Sequence, residues 1–152
     1  MRLWVDADAS PGEMKDVIFR ASRRLSFEVV LVANQSIAAP IRYRLVRSVC
    51  VPGGSDAADR HIAAEARPGD IAVTADIALA AVLVAKSVIT IDPRGEEYTA
   101  DDVGSKLSAR NFHEVLRGAG VNTPGPRPYG PKEKRAFAAT LDRVLMKALR
   151  KR

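Results

Sequence analysis

One pattern constrains this chain more than any other: across its first hundred residues, short apolar runs alternate with stretches of helical character. The runs are LWVDA at 3–7, FEVVLVA at 27–33, SVCV at 48–51, IAVTA at 71–75 and SVITI at 87–91. They are short and rich in β-branched residues, as strands covered on both faces are. Residues 11–25, 56–66 and 77–86 read as helices between them, and 34–47 as an irregular connection. Strands joined by helical crossovers pair in parallel and need helices on both faces of the sheet. The expected fold class is therefore α/β, a three-layer sandwich around a parallel, five-stranded sheet.

The helix starts carry their own signals. Ser10 and Glu13 have capping-box spacing with Pro11 between them, and Asp56 with Asp59 repeats that spacing. Asp76 precedes the apolar helix as a cap does, while Pro68-Gly69-Asp70 and Pro93-Arg94-Gly95 mark turns. After Asp92 the pattern is helical only. Residues 101–117 form one expected helix, with Thr99 as its cap and Gly104 as a weak point. The proline- and glycine-rich segment 122–131 reads as a loop, and a last helix over 132–150 carries Phe137, Leu141, Leu145, Ala148 and Leu149 on one stripe. With 152 residues, one domain is expected over 1–152: a body of about 1–100 and a helical extension of about 101–152.

Composition sets further bounds. At 47% hydrophobic and 28% charged residues the chain can bury a core, yet its longest apolar stretch, 77–85, is too short for a membrane span. The start MRLWVDADAS lacks the pattern of a signal peptide, so residence in the cytoplasm is expected. Cys50 is the only cysteine, which excludes an internal disulfide and a thiolate-rich zinc site; its apolar strand makes it read as core. The net charge of +6 is concentrated late in the chain. From 127 to 152, nine Lys/Arg stand against Glu133 and Asp142, leaving the first 126 residues at −1. Arg143, Lys147 and Arg150 share one face of the last helix, which suits either a polyanion such as nucleic acid or plain solvation.

The acids gather where a parallel sheet places its crevice, beyond the carboxyl ends of the strands. Asp6 and Asp8 close the first run, Asp56 and Asp59 follow the third, Asp76 the fourth and Asp92 the fifth. Several ionised carboxylates in one cleft repel unless a cation sits among them, and hard oxygen donors suit Mg²⁺ or Mn²⁺. Each acid also has a plainer reading: Asp8, Asp56 and Asp76 as caps, Asp59 in a capping box, Asp92 as the start of a turn. Asp6 fits neither cap nor turn, since it directly follows Leu3-Trp4-Val5 in a central strand. His61 and His113 lack metal-ligand spacing and read as structural or surface residues. Gly53-Gly54-Ser55 lacks the lysine of a phosphate loop.

WVDADASP, LVANQ, GGSDAADRHI, PGDIAVTADIALA, DPRGEEY and FAATLDRVLMK, in this order along nearly the whole chain, resemble the bacterial YaiI/YqxD family, which in turn resembles PIN-like nuclease domains. The resemblance implies a parallel sheet whose strand-end acids bind Mg²⁺ or Mn²⁺ and cleave RNA or DNA. Carried over by position, Asp6, Asp59 and Asp76 are the expected metal ligands, with Asp8 and Asp56 completing the catalytic group. The family usually has Cys where this chain has Ser10, which leaves the carboxylates untouched. Asn34, Lys86, Arg94, Arg143, Lys147 and Arg150 are the candidate contacts to the nucleic acid, RNA being the expected partner; Arg94 reads equally as a turn residue paired with a surface acid. Two other functions fit the residues. Asp6-Ala7-Asp8 has the spacing of a haloacid-dehalogenase-like phosphatase, and the basic last helix could serve a nucleic-acid- or protein-binding module without turnover.

Overall fold

A computed structural model describes residues 1–54, 56–120 and 128–150, without the side chain of Ala9. The strands are β1 (Arg2–Asp6), β2 (Glu28–Ala33), β3 (Val46–Cys50), β4 (Ile71–Val73), β5 (Ile89–Ile91) and β6 (Glu97–Tyr98). The helices are α1 (Gly12–Leu25), α2 (Ala57–Glu65), α3 (Ile77–Ala85), α4 (Val103–Gly118) and α5 (Pro131–Arg150), with a 3-10 turn over Ala7–Ala9. The α/β sandwich is present, but its sheet has six strands in the order β3-β2-β1-β4-β5-β6. The first five are parallel, and β6 pairs antiparallel with β5. Two residues of strand in DPRGEEY give no alternation to detect, so the sequence showed only the turn.

Strand alternation divides the core into two layers. Leu3, Val5, Val29, Leu31, Ile71 and Val73 meet α1 and α5, where Phe137, Leu141, Val144 and Leu145 are buried. Trp4, Val30, Val32 and Ala72 meet α2 and α3 through Ala58, Ile62, Leu79 and Leu83. The last helix is thus a wall of the core as well as a basic surface. Helix α4 packs on α3 and buries no residue completely.

Several local expectations are corrected. Ser10 does not cap α1: its hydroxyl donates to the Asp6 carbonyl at 2.6 Å, and Pro11 occupies the cap position. Cys50 is exposed because β3 is an edge strand. Thr99 is not the cap of α4, whose cap position is Asp102; it closes the turn before the helix, its Oγ1 accepting from the Asp102 amide at 3.2 Å while Asp102 Oδ1 accepts from the Thr99 amide at 2.9 Å. Of the loop expected at 122–131, residues 122–127 lie outside the described residues, as do Ser55 of the glycine-rich turn and the cations Arg127, Lys151 and Arg152.

Candidate active site

In this strand order the chain leaves β1 toward β2 on one side and later returns to β4 on the other, so the crossovers diverge between β1 and β4. The helices that follow these strands start on opposite sides of that line, which opens a crevice over the carboxyl ends of β1 and β4. Asp6 ends β1 on the same face as Trp4, toward α2 and α3. It is only 7% exposed. Thr74, next in the chain after β4, lies beside it, and its Oγ1 donates to Asp6 Oδ2 at 3.4 Å.

Thr74 also fixes the next acid. The Asp76 amide donates to Thr74 Oγ1 at 3.0 Å, while Asp76 Oδ1 accepts from the amides of Ala78 and Leu79 at the start of α3. Asp76 is therefore a true helix cap that spends one oxygen on the cap. Its carboxyl also contacts Asp59, which reaches in from the first turn of α2 and contacts Asp6 as well. Asp6, Asp59 and Asp76 thus come from three elements, and Asp59 joins the other two. The capping box read into Asp56 and Asp59 does not form: Asp56 stands exposed at the head of α2 without a side-chain cap bond.

Crowding has an electrostatic consequence. Burial, contact with Asp76 and the nearby charge of Asp6 push the Asp59 carboxyl up to about 7. Burial and the charge of Asp8 raise Asp6, against an opposing effect of the Thr74 hydroxyl. Near neutral pH Asp59 is therefore only partly ionised. Among the described residues, no three His, Cys, Asp or Glu side chains stand as a ready set of ligands around one point. The donor chemistry nevertheless fits a hard divalent ion, being all carboxylate oxygen with neither thiolate nor imidazole among the three.

The remaining predicted residues separate into neighbours and outliers. Asp8 caps no helix; its Oδ2 accepts from the Asn34 amide at 2.8 Å, tying the loop after β2 to the crevice floor. Asn34 is the first residue after β2, at the carboxyl end of that strand. Arg94 lies in the β5–β6 turn, 3.9 Å from Glu133, and lines a cavity together with Pro11 and Ala75. Lys86 is misplaced by the sequence reading: it ends α3, about 13 Å of helix away from the crevice, and donates to the Ala63 carbonyl at 2.7 Å. Arg143 pairs with Glu97 at 3.1 Å, and its neighbour Asp142 reaches Arg24 near the far end of α1. Arg143 therefore stands beside β6, while Lys147 and Arg150 lie in the last turn of α5. Thr74 was missed, for a lone threonine carries no spacing signal.

The fold and crevice define a doubly wound α/β protein with acidic residues at its topological switch point. Residues 4–147 match the family model described as "Uncharacterized BCR, YaiI/YqxD family", and the chain belongs to that family. It is 49% identical over 150 residues to a UPF0178 protein of Myxococcus xanthus, covering 99% of this chain and 97% of that one. A UPF0178 protein of Syntrophobacter fumaroxidans is 50% identical over 147 residues, covering 97% and 95%. No solved structure matches the chain.

Proposed function

We propose that this protein is a divalent-metal-dependent nuclease that hydrolyses phosphodiesters of RNA or DNA in the crevice between β1 and β4. The observation that carries the reading is the joining of Asp6, Asp59 and Asp76 through Asp59, whose carboxyl lies near neutrality. A purely structural triad of acids would cost stability with nothing gained, so functional sites are where such arrangements concentrate. The resemblance to PIN-like nucleases supports the same residues.

Asp6, Asp59 and Asp76 would hold Mg²⁺ or Mn²⁺, which when bound lowers the pKa of a water and neutralises charge developing on the scissile phosphate. The chain's own contribution is positional. Thr74 holds Asp6 and the start of α3 in register, and the two α3 amides fix one oxygen of Asp76, leaving its other oxygen for the site. Holding a cation requires Asp59 to release its proton, so occupancy should rise with pH through neutrality. Asp8 acts by anchoring the loop at Asn34, a task at odds with the general acid of a phosphatase.

The test is Asp6→Asn with Mn²⁺ and a single-stranded oligonucleotide. Wild type should cleave and the variant should lose at least about a hundred-fold in rate while its circular dichroism stays native. Equal cleavage by both would remove the carboxylate site.

A further inference from the structure

At the amino-terminal ends of β2 and β3, the opposite end of the strands from the carboxylates, the last turn of α1 and the connection into β3 enclose a cleft of about 420 Å³. Arg23 of α1 and Arg42 and Arg44 of the connection line it, and among the described residues no carboxylate does. None of the three makes an ion pair with a described residue. Glu28 at the start of β2 is taken up by Arg2 and Arg47 at 2.9 Å each, and Asp142 by Arg24 at 3.3 Å. The carbonyl end of α1 offsets part of the Arg23 charge, but Arg42 and Arg44 have no such counterweight. The connection is held firmly: the Tyr43 amide donates to the Pro40 carbonyl and the Val46 amide to the Tyr43 carbonyl, both at 3.1 Å. The Tyr43 ring packs against Phe19, with centroids 5.5 Å apart, and carries the Arg42 guanidinium 5.4 Å from its own. A guanidinium lying on a ring keeps its in-plane N–H groups available for bidentate bonding.

We propose that this cleft binds the phosphate backbone of a nucleic-acid strand, separately from the crevice and without part in the chemistry. The choice of partner rests on the nuclease reading. Like charges crowded in a concavity without acids favour a polyanion that sheds counterions on binding, and arginine forks match phosphate oxygens in pairs. A membrane surface fits less well. Ile41 and Leu45 are the exposed large apolar side chains of the lining, and two side chains bury less than the single acyl chain that gives only marginal membrane binding. Since β2 is six residues long, the cleft lies about 20 Å or more from the crevice. A strand long enough to touch both is held at two points, which raises its effective concentration at the carboxylates above that of a short one.

Fluorescence anisotropy with a labelled oligouridylate long enough to span both sites, in EDTA so that nothing is cleaved, tests the cleft. The triple variant Arg23→Gln, Arg42→Gln, Arg44→Gln should bind at least about ten-fold more weakly. Its slope of log affinity against log salt should be shallower by about 2, three phosphates at roughly 0.7 each. A control triple, Arg67→Gln, Lys132→Gln, Arg135→Gln, removes the same charge elsewhere and should change affinity by less than about three-fold. All of these side chains are exposed, so both variants should keep the wild-type circular dichroism. Equal losses in the two variants would reduce the effect to net charge and overturn the proposal, as would an affinity that neither variant moves. Phosphatidylserine vesicles that bind wild type but not the first variant, with oligouridylate unaffected, would overturn it in favour of a membrane surface. Cleft-dependent binding in a protein that never cleaves with Mn²⁺ would keep this site and sink the nuclease; cleavage with binding indifferent to the cleft would do the reverse.

Discussion

Asp59 is held where ionising it is unfavourable, and this makes it the side chain with the clearest pH signature. Its carboxyl titrates near 7 in the folded protein and at the ordinary carboxylate value when unfolded, so the folded state binds the extra proton. The stabilisation is complete below about pH 4 and disappears as pH rises through 7. Asp59→Asn removes the ionisable group while keeping its size. The variant should exceed wild type only slightly at pH 5 and by about 1–2 kcal/mol more at pH 8, the full shift being discounted because Asp59 is only half-buried. Urea unfolding at the two pH values in EDTA measures it. A gain that is equal at both pH values, or none at pH 8, would show that Asp59 is not crowded by its neighbours. The same substitution should abolish Mn²⁺-dependent cleavage, so that stability and activity move in opposite directions, as expected where strain serves a site.

Among the elements, the β5–β6 turn is the junction on which the site depends most. Gly95 has φ +94, and a Cβ there would stand 2.6 Å from the Ala136 carbonyl carbon and oxygen, against the backbone of α5. Thr140 reinforces the contact by donating to the Gly95 carbonyl at 2.6 Å. Gly95→Ala combines a left-handed backbone with an overlap that backbone cannot relieve cheaply, so it should cost roughly 2–4 kcal/mol. Thermal unfolding should show a drop of roughly 10 °C; an unchanged midpoint would mean that α5 does not press on this turn. Gly95 was legible only as a turn residue. The parallel sandwich was legible because buried strands and capped helices leave periodic marks, and Asp6, Asp59 and Asp76 because carboxylates stand out at strand ends. Thr74 and the arginine cleft were not, since both come from packing between distant elements. Lys86 went wrong for a related reason: a nine-residue helix carried it back to the amino-terminal ends of the strands, away from the crevice.

At the scale of the whole molecule, the acids gather over the carboxyl ends of β1 and β4, whereas Arg143, Lys147 and Arg150 stand on the second half of α5. A short oligonucleotide engaged at the crevice should not reach them, but a long strand would pass within their field. Arg143 is already matched by Glu97, which leaves Lys147 and Arg150 as the main contributors of α5 to such long-range binding. Replacing all three with Gln should leave kcat/KM on a six-nucleotide substrate within about two-fold of wild type. For a long single strand, the slope of log affinity against log salt should become shallower by about 1–2, since each phosphate neutralised contributes roughly 0.7. Both quantities come from one salt series with the two substrates. A parallel fall for the short substrate would place these cations at the reacting phosphate after all, and an unaltered slope for the long one would leave them as a solvated face, because only cations that displace counterions register in that slope.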